Sequence, residues 1–225
     1  MTRKKSVKLS KKNKESFLSV FPQFTDKTSV IWNPIPTDKI KTLSEAKIGF
    51  DVLMRSKTLN LITISRLDPN KGLERIVHMA SNLNLAGYKF YWYVVGGGPY
   101  KSEFENLLIA RDVCNVILTG ALDNPYPLLK ACDLFVLPSQ YEGMPVTIHE
   151  ALILNVPVLA SDVGGVSEQL EGNRGILAKN NEDSLYEALR GVFENPDSLK
   201  YLKEKNKNYC YNNDQIFNQL RELLA

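Results

Sequence analysis

From residue 60 onward, short β-branched or aromatic runs alternate with longer segments of helical period, and this rhythm constrains the fold more than any other feature. The strand-like runs fall at residues 59–65, 89–95, 115–119, 134–137, 157–160 and 175–177. Each is short and apolar enough to be buried on both faces, as strands of a parallel sheet are. The clearest helical segment places Leu73, Ile76, Val77, Ala80 and Leu83 on one face. Others fit residues 103–111, 126–131, 146–154, 165–170, 182–193 and 197–209. Strands alternating with helices predict an α/β fold, a Rossmann-like parallel sheet with helices on both faces. A last helix, 214–224, aligns Ile216, Phe217, Leu220, Leu223 and Leu224 into a stripe for which the sequence shows no partner surface.

Residues 1–58 do not keep this rhythm. A strand at 6–10, a helix at 11–20 and a strand at 28–32 end on Asn33-Pro34-Ile35-Pro36, a chain-breaking signal. They read as the trailing edge of another domain. The predicted organisation is a remnant and link at 1–36, the main domain at 37–210, and a C-terminal helix at 211–225. A chain of 225 residues suffices for one such domain with extensions. With 44% hydrophobic and 24% charged residues and no apolar run of membrane-spanning length, the composition is that of a soluble globular protein. Cys114, Cys132 and Cys210 are odd in number and lack metal-ligand spacing, which suits reduced thiols in a cytoplasmic setting. The basic start has no apolar stretch behind it and so does not form a signal peptide. Residues 1–15 hold seven basic side chains and one acidic, a local charge of +6 within a net charge of +3. A solvated helix face accounts for it, with peripheral contact to an anionic membrane surface as the second reading. No nucleic acid partner is expected.

Ligands of open parallel sheets bind outside the carboxyl ends of the strands, so the following loops carry the chemistry. The first is Ser65-Arg66-Leu67-Asp68-Pro69-Asn70-Lys71-Gly72. Arg66 offers a planar fork and Lys71 a mobile point charge, together suited to a diphosphate. The second strand ends in Gly96-Gly97-Gly98-Pro99, where missing side chains leave room for a ligand against the backbone. Lys101 stands where a dinucleotide fingerprint needs its third glycine, which disfavours a nicotinamide-dependent oxidoreductase. Val95 and Tyr100 break the phosphate-loop pattern of nucleotide triphosphatases. After the fourth strand come Pro138-Ser139-Gln140-Tyr141-Glu142-Gly143-Met144-Pro145-Val146 and, in the helix, His149-Glu150-Ala151. Gly143 lets the chain turn so that the amides from Met144 to Val146, less the Pro145 nitrogen, open a helix start that suits an anion. Glu150 lies too far into the helix to cap it, and its two acceptor oxygens suit a vicinal diol such as ribose.

Glu142 spaced seven residues from Glu150-Ala151, preceded by Pro138-Ser139 and followed by Asp162-Val163-Gly164-Gly165-Val166-Ser167-Glu168, resembles the donor-site signature of retaining glycosyltransferases of the family 4 type. Arg66, Lys71-Gly72 and the turn at residues 96–99 fall where that family has them, and the resemblance covers about residues 28–195. It implies one half of a GT-B fold, the C-terminal half that holds a nucleotide-diphosphate sugar such as a UDP-sugar. In that reading Arg66 and Lys71 bind the diphosphate with the amides after Gly143, Glu150 binds the ribose, and Glu142 contacts the donor sugar as the catalytic carboxylate. Backbone near Gly97 and after Gly120 completes the pocket. The family uses the sugar nucleotide as a substrate, so neither a cofactor nor a metal is implied. The family's N-terminal histidine has no counterpart here, since His78 and His149 read as structural. The resemblance therefore also implies an acceptor-binding N-terminal half outside this sequence, on the same polypeptide or on a separate subunit for which this chain is a non-catalytic binding partner. The isolated chain is expected to bind its donor without turnover, within polysaccharide or lipid-linked glycan synthesis.

Overall fold

Burial on both faces turns the strand-like runs into a parallel sheet in the structure, a computed structural model that describes residues 6–48 and 58–224. Residues 1–5, which hold Arg3, Lys4 and Lys5 of the basic start, and the side chain of Leu224 lie outside the described residues. The chain opens with β1 (Ser6–Lys8), α1 (Lys11–Val20), β2 (Thr28–Val30) and α2 (Thr37–Ser44). It continues with β3 (Leu59–Ile64), α3 (Leu73–Leu85), β4 (Phe90–Val95), α4 (Lys101–Ala110), β5 (Val116–Gly120), α5 (Tyr126–Ala131) and β6 (Leu134–Leu137). Then follow α6 (Val146–Ile153), β7 (Val158–Ser161), α7 (Val166–Gln169), β8 (Ile176–Ala178), α8 (Glu182–Glu194), α9 (Asp197–Asn206) and α10 (Asn213–Leu224).

The main sheet runs β5-β4-β3-β6-β7-β8 with every neighbour parallel. The chain steps outward from β3 to β5, then returns to the other side of β3 to lay down β6. The connections after β3 and β6 therefore leave toward opposite faces, and a crevice opens between them. Strand alternation divides the core. Leu61, Trp92, Val94, Leu134 and Val136 face α3, α4 and α8 on one side. Their neighbours Ile62, Tyr93, Val95, Phe135 and Leu137 face α5, α6 and α7 on the other. Burying each of these side chains contributes about 2 kcal/mol. The Trp92 indole N–H is satisfied by Thr63 Oγ1 at 3.1 Å, and that hydroxyl donates to Val136 O at 2.7 Å.

β1 and β2 form a separate two-stranded parallel sheet. β1 stops at Lys8, short of the expected Ser10, because Ser10 caps α1 by accepting from the Asn13 amide. α2 was not foreseen: it is two turns long and buries only Ile40 and Ser44, too few positions to show a period. The C-terminal helix finds a surface within the chain, which the sequence did not reveal. Ile216 is buried with Ile31, Ile35, Ile40, Ile153 and Tyr211, and Leu220 and Leu223 pack against that group. Asn213 clamps the link by accepting from Ile35 N at 2.9 Å and donating to Ile35 O at 2.7 Å. Among the described side chains of the stripe, Phe217 is left exposed. Among the described residues no helix is long and apolar enough to cross a membrane.

Candidate functional site

The crevice beside β3 and β6 is closed at its base by the two loops themselves. Gln140 N donates to Asn70 O at 2.8 Å, which joins the loop after β6 to the loop after β3. Gly72 lies in the left-handed region, with φ of 71°, and a Cβ there would stand 2.1 Å from Pro138 O, so the two loops can approach only through glycine. This approach puts Lys71 Nζ 2.7 Å from Glu142 Oε1, with only 24% and 10% of the two side chains exposed. The Ser139 hydroxyl donates to the same carboxylate oxygen at 2.7 Å. Arg66, in contrast, stays outside this cluster. Its side chain is 70% exposed and lies 3.6 Å from Asp68.

Four successive carbonyls hold the Glu142 loop in place. Ser161 Oγ donates to Leu137 O and Ser139 O, Arg75 donates to Pro138 O at 3.1 Å and Ser139 O at 3.5 Å, and Asn180 Nδ2 donates to Gln140 O at 3.3 Å. Arg75 also reaches Asn180 Oδ1 at 2.7 Å, so a buried guanidinium ties α3 to the loop after β8 beneath the site. Burial pulls the Arg75 pKa down, offset in part by the charge of Glu182. Sequence reading missed Arg75, since a cation beside an apolar stripe looks like an exposed edge.

The amides of Met144 and Val146, at the start of α6, have no acceptor among the described residues. Pro145 occupies the N-cap position and contributes no amide hydrogen. Gly143 faces Leu9 and Asn13, with Asn13 Nδ2 3.6 Å from where its Cβ would be. The segment joining β1 to α1 thus lies over this loop. Glu168 fixes it there by accepting from the Lys11 and Lys12 amides at 3.1 and 3.2 Å, and Lys12 Nζ lies 3.6 Å from Asp162. Part of the basic start is therefore bound to α7 and to the loop after β7.

Glu150 is half-buried, and its Oε1 accepts the Tyr126 hydroxyl at 2.9 Å. Desolvation raises the Glu150 pKa and the Tyr126 hydrogen bond opposes the rise. The Tyr126 phenol is itself pushed up to about 12, by burial first and by the Glu150 charge second.

The glycine turn is used differently from the expectation of an open ligand surface. A Cβ on Gly96, with φ of 151°, would stand 1.8 Å from Ser65 O, and one on Gly98 would stand 2.2 Å from Leu67 O. These two glycines make room for the chain's own loop after β3, whose Leu67 N donates to Gly97 O at 2.9 Å. Gly97 itself is exposed, with Ala121 Cβ as the nearest neighbour at 3.9 Å from its would-be Cβ. Gly120 has open space around it, while its carbonyl accepts the Gly96 amide at 2.9 Å.

His149 is buried against Trp32, Tyr209 and Tyr211, with Nδ1 2.6 Å from the Tyr209 hydroxyl. Burial lowers its pKa to about 4. His78 Nε2 pairs with Asn82 on the same helix. Both histidines hold packing positions. Two cavities of about 730 and 610 Å³ lie away from the crevice along α10, and neither is lined by Arg66, Lys71, Glu142 or Glu150. Of the four, the structure brings Lys71 and Glu142 into contact, while Arg66 pairs with Asp68 and Glu150 with Tyr126. No cluster of three or more metal-ligating side chains is present among the described residues.

The fold agrees with the comparisons to known proteins. The profile of the glycosyl transferases group 1 family matches residues 45–209, and the chain belongs to that family. It is 27% identical over 199 residues to the alpha-galactosylglucosyldiacylglycerol synthase of Streptococcus pneumoniae, covering 85% of this chain and 50% of that protein. It is 30% identical over 192 residues to the O-antigen biosynthesis glycosyltransferase WbnH of Escherichia coli, covering 77% of this chain and 53% of that one. The chain thus spans about half the length of these curated relatives. Among solved structures, Anabaena Alr3699/HepE in complex with UDP superposes with a TM-score of 0.81 at 19% identity, over 98% of this chain and 63% of the other. The fold is the Rossmann-like α/β architecture of one half of a GT-B glycosyltransferase.

Proposed function

We propose that this chain is the C-terminal, donor-binding half of a retaining GT-B glycosyltransferase of the family 4 type, and that the β3–β6 crevice holds a nucleotide-diphosphate sugar. The observation that carries this reading is the Lys71–Glu142 pair across the switch point, followed along the chain by the unpartnered amides of Met144 and Val146, the latter one turn before Glu150. A cation, a helix start and a carboxylate at these places match a diphosphate, its oxygens and a ribose diol in sequence along one ligand.

Lys71 neutralises Glu142 in the structure. An arriving diphosphate gives Lys71 a second anionic partner, and Arg66 swings in from solvent to take a paired contact. As the bond from sugar to phosphate breaks, negative charge grows on the leaving diphosphate and positive charge on the sugar ring. In this reading Lys71 and the α6 amides take up the first charge, joined by Arg66 once it has moved in, and Glu142 the second. Preorganised charge of this kind is the largest catalytic contribution in many enzymes.

The same reading assigns residues 1–36 and α10 to contact with an acceptor-binding N-terminal half, and a glycan or lipid-linked acceptor to the complete enzyme. The names of the two curated relatives, one a glycolipid synthase and one an O-antigen enzyme, support that acceptor class. The assignment predicts that Lys71→Ala weakens binding of the donor nucleotide by about tenfold or more in calorimetric titration, the scale of a lost charged hydrogen bond. Unchanged affinity removes the diphosphate assignment.

A further inference from the structure

The Glu150 carboxylate is steered by a side chain from a different loop. Tyr126 is the first residue of α5, and its hydroxyl reaches Glu150 Oε1 from the β5–α5 connection. That connection is stiff. Pro125 and Pro127 flank Tyr126 and fix their own φ angles, the Tyr126 amide donates to Asn124 Oδ1 at 3.3 Å, and Asn124 Nδ2 donates to Leu43 O at 2.9 Å. The Tyr126 ring is packed against both the sheet core and the cluster that holds the link. The hydroxyl is therefore delivered from a fixed position.

A carboxylate has about four acceptor sites over two oxygens. Tyr126 takes one on Oε1, and among the described residues Oε2 has no hydrogen-bond partner. A carboxylate held at one oxygen presents the other in a single orientation, whereas an untethered one rotates and shares its acceptor sites with water. We infer that Tyr126 is the positioning residue that makes this site select ribonucleotides over 2′-deoxyribonucleotides, by orienting Glu150 toward the ribose hydroxyls. The inference rests on the donor-site reading. A site that hydrogen-bonds a ligand hydroxyl discriminates strongly against the analogue lacking it, because its own polar group is then left unpaired.

Tyr126→Phe keeps the ring and its packing and removes only the hydroxyl. The experiment titrates UDP, GDP and ADP against the wild-type chain, then compares the base that binds with its 2′-deoxy counterpart in both proteins, with thermal unfolding as the folding control. The wild type is expected to prefer the ribonucleotide, and the variant to lose about tenfold of that preference through weaker ribonucleotide binding alone. A preference unchanged in the variant overturns the inference, including the case in which both ligands weaken by one common factor, the mark of a purely structural role. A wild type that binds a diphosphate without any ribose preference also overturns it and leaves the donor-site reading standing. A wild type that binds none of the three nucleotides removes the donor-site reading itself.

Discussion

Replacing Lys71 by methionine keeps most of the side chain's length and apolar stem while removing the charge that faces Glu142. At 2.7 Å and an effective dielectric of about 20, the gross attraction between the two ions is about 6 kcal/mol. Most of this is offset. Both ions give up hydration on entering a site where their side chains are 24% and 10% exposed, and ordering a lysine side chain costs about 2 kcal/mol. A net contribution of about 2 kcal/mol remains, the usual scale for a hydrogen bond to a charged partner. Lys71→Met should therefore destabilise the chain by about 2 kcal/mol, since it leaves a half-buried carboxylate with only the Ser139 hydroxyl. Glu142→Gln should cost about 1 kcal/mol, because its amide oxygen can still accept from Ser139 and Lys71. The double variant should cost less than the two single changes together, with a coupling of about 1 kcal/mol or more in a double-mutant cycle read by urea unfolding at pH 7. Additive effects, within about 0.3 kcal/mol, would refute the pair as a structural element joining the two loops.

Two further changes probe the surroundings of the site. Gly72→Ala, which forces a Cβ against Pro138 O at a left-handed φ, should destabilise by about 3 kcal/mol or more in thermal or urea unfolding and weaken nucleotide binding with it; a loss below about 1 kcal/mol contradicts the close loop approach. His149, with its folded pKa lowered to about 4 against about 6.5 in the unfolded chain, takes up its proton more readily when unfolded, so stability falls with pH from about 6.5 toward 4. Between pH 7 and pH 5 this costs about 2 kcal/mol, and His149→Leu should abolish that share of the pH dependence in unfolding experiments; equal slopes in both proteins contradict the buried neutral imidazole.

Much of the main sheet was legible because its strands are buried on both faces and separated by amphipathic helices, so the period switches cleanly at each boundary. The six predicted runs match β3 to β8 within a residue or so at each end. The rhythm fails where packing rather than period defines an element. α2 is too short to show a stripe, and the surface for α10 is assembled from Ile31 and Ile35 in the link, residues far away in sequence with no periodic signature. In the crevice, Lys71 and Glu142 could be singled out because charged residues beside glycines at strand ends have little structural reason to be there. The residues that hold them in place carry no such mark. Arg75 looks like a surface cation, Ser139 like a turn residue and Tyr126 like a helix start, and only their hydrogen bonds to the loop carbonyls and carboxylates reveal what they do. The glycine turn after β4 was recognised, but two of its glycines serve close approach to the β3 loop, a contact between segments about 30 residues apart that local sequence does not encode.

The central claim is that the crevice between β3 and β6 binds a sugar nucleotide, and calorimetric titration of the wild-type chain with UDP-glucose, GDP-mannose and ADP-glucose tests it most directly. One of the three should bind with one-to-one stoichiometry, be displaced by its own nucleoside diphosphate, and lose affinity when Lys71 is replaced by alanine. Absence of binding by all three at millimolar ligand, or binding indifferent to Lys71, contradicts the claim.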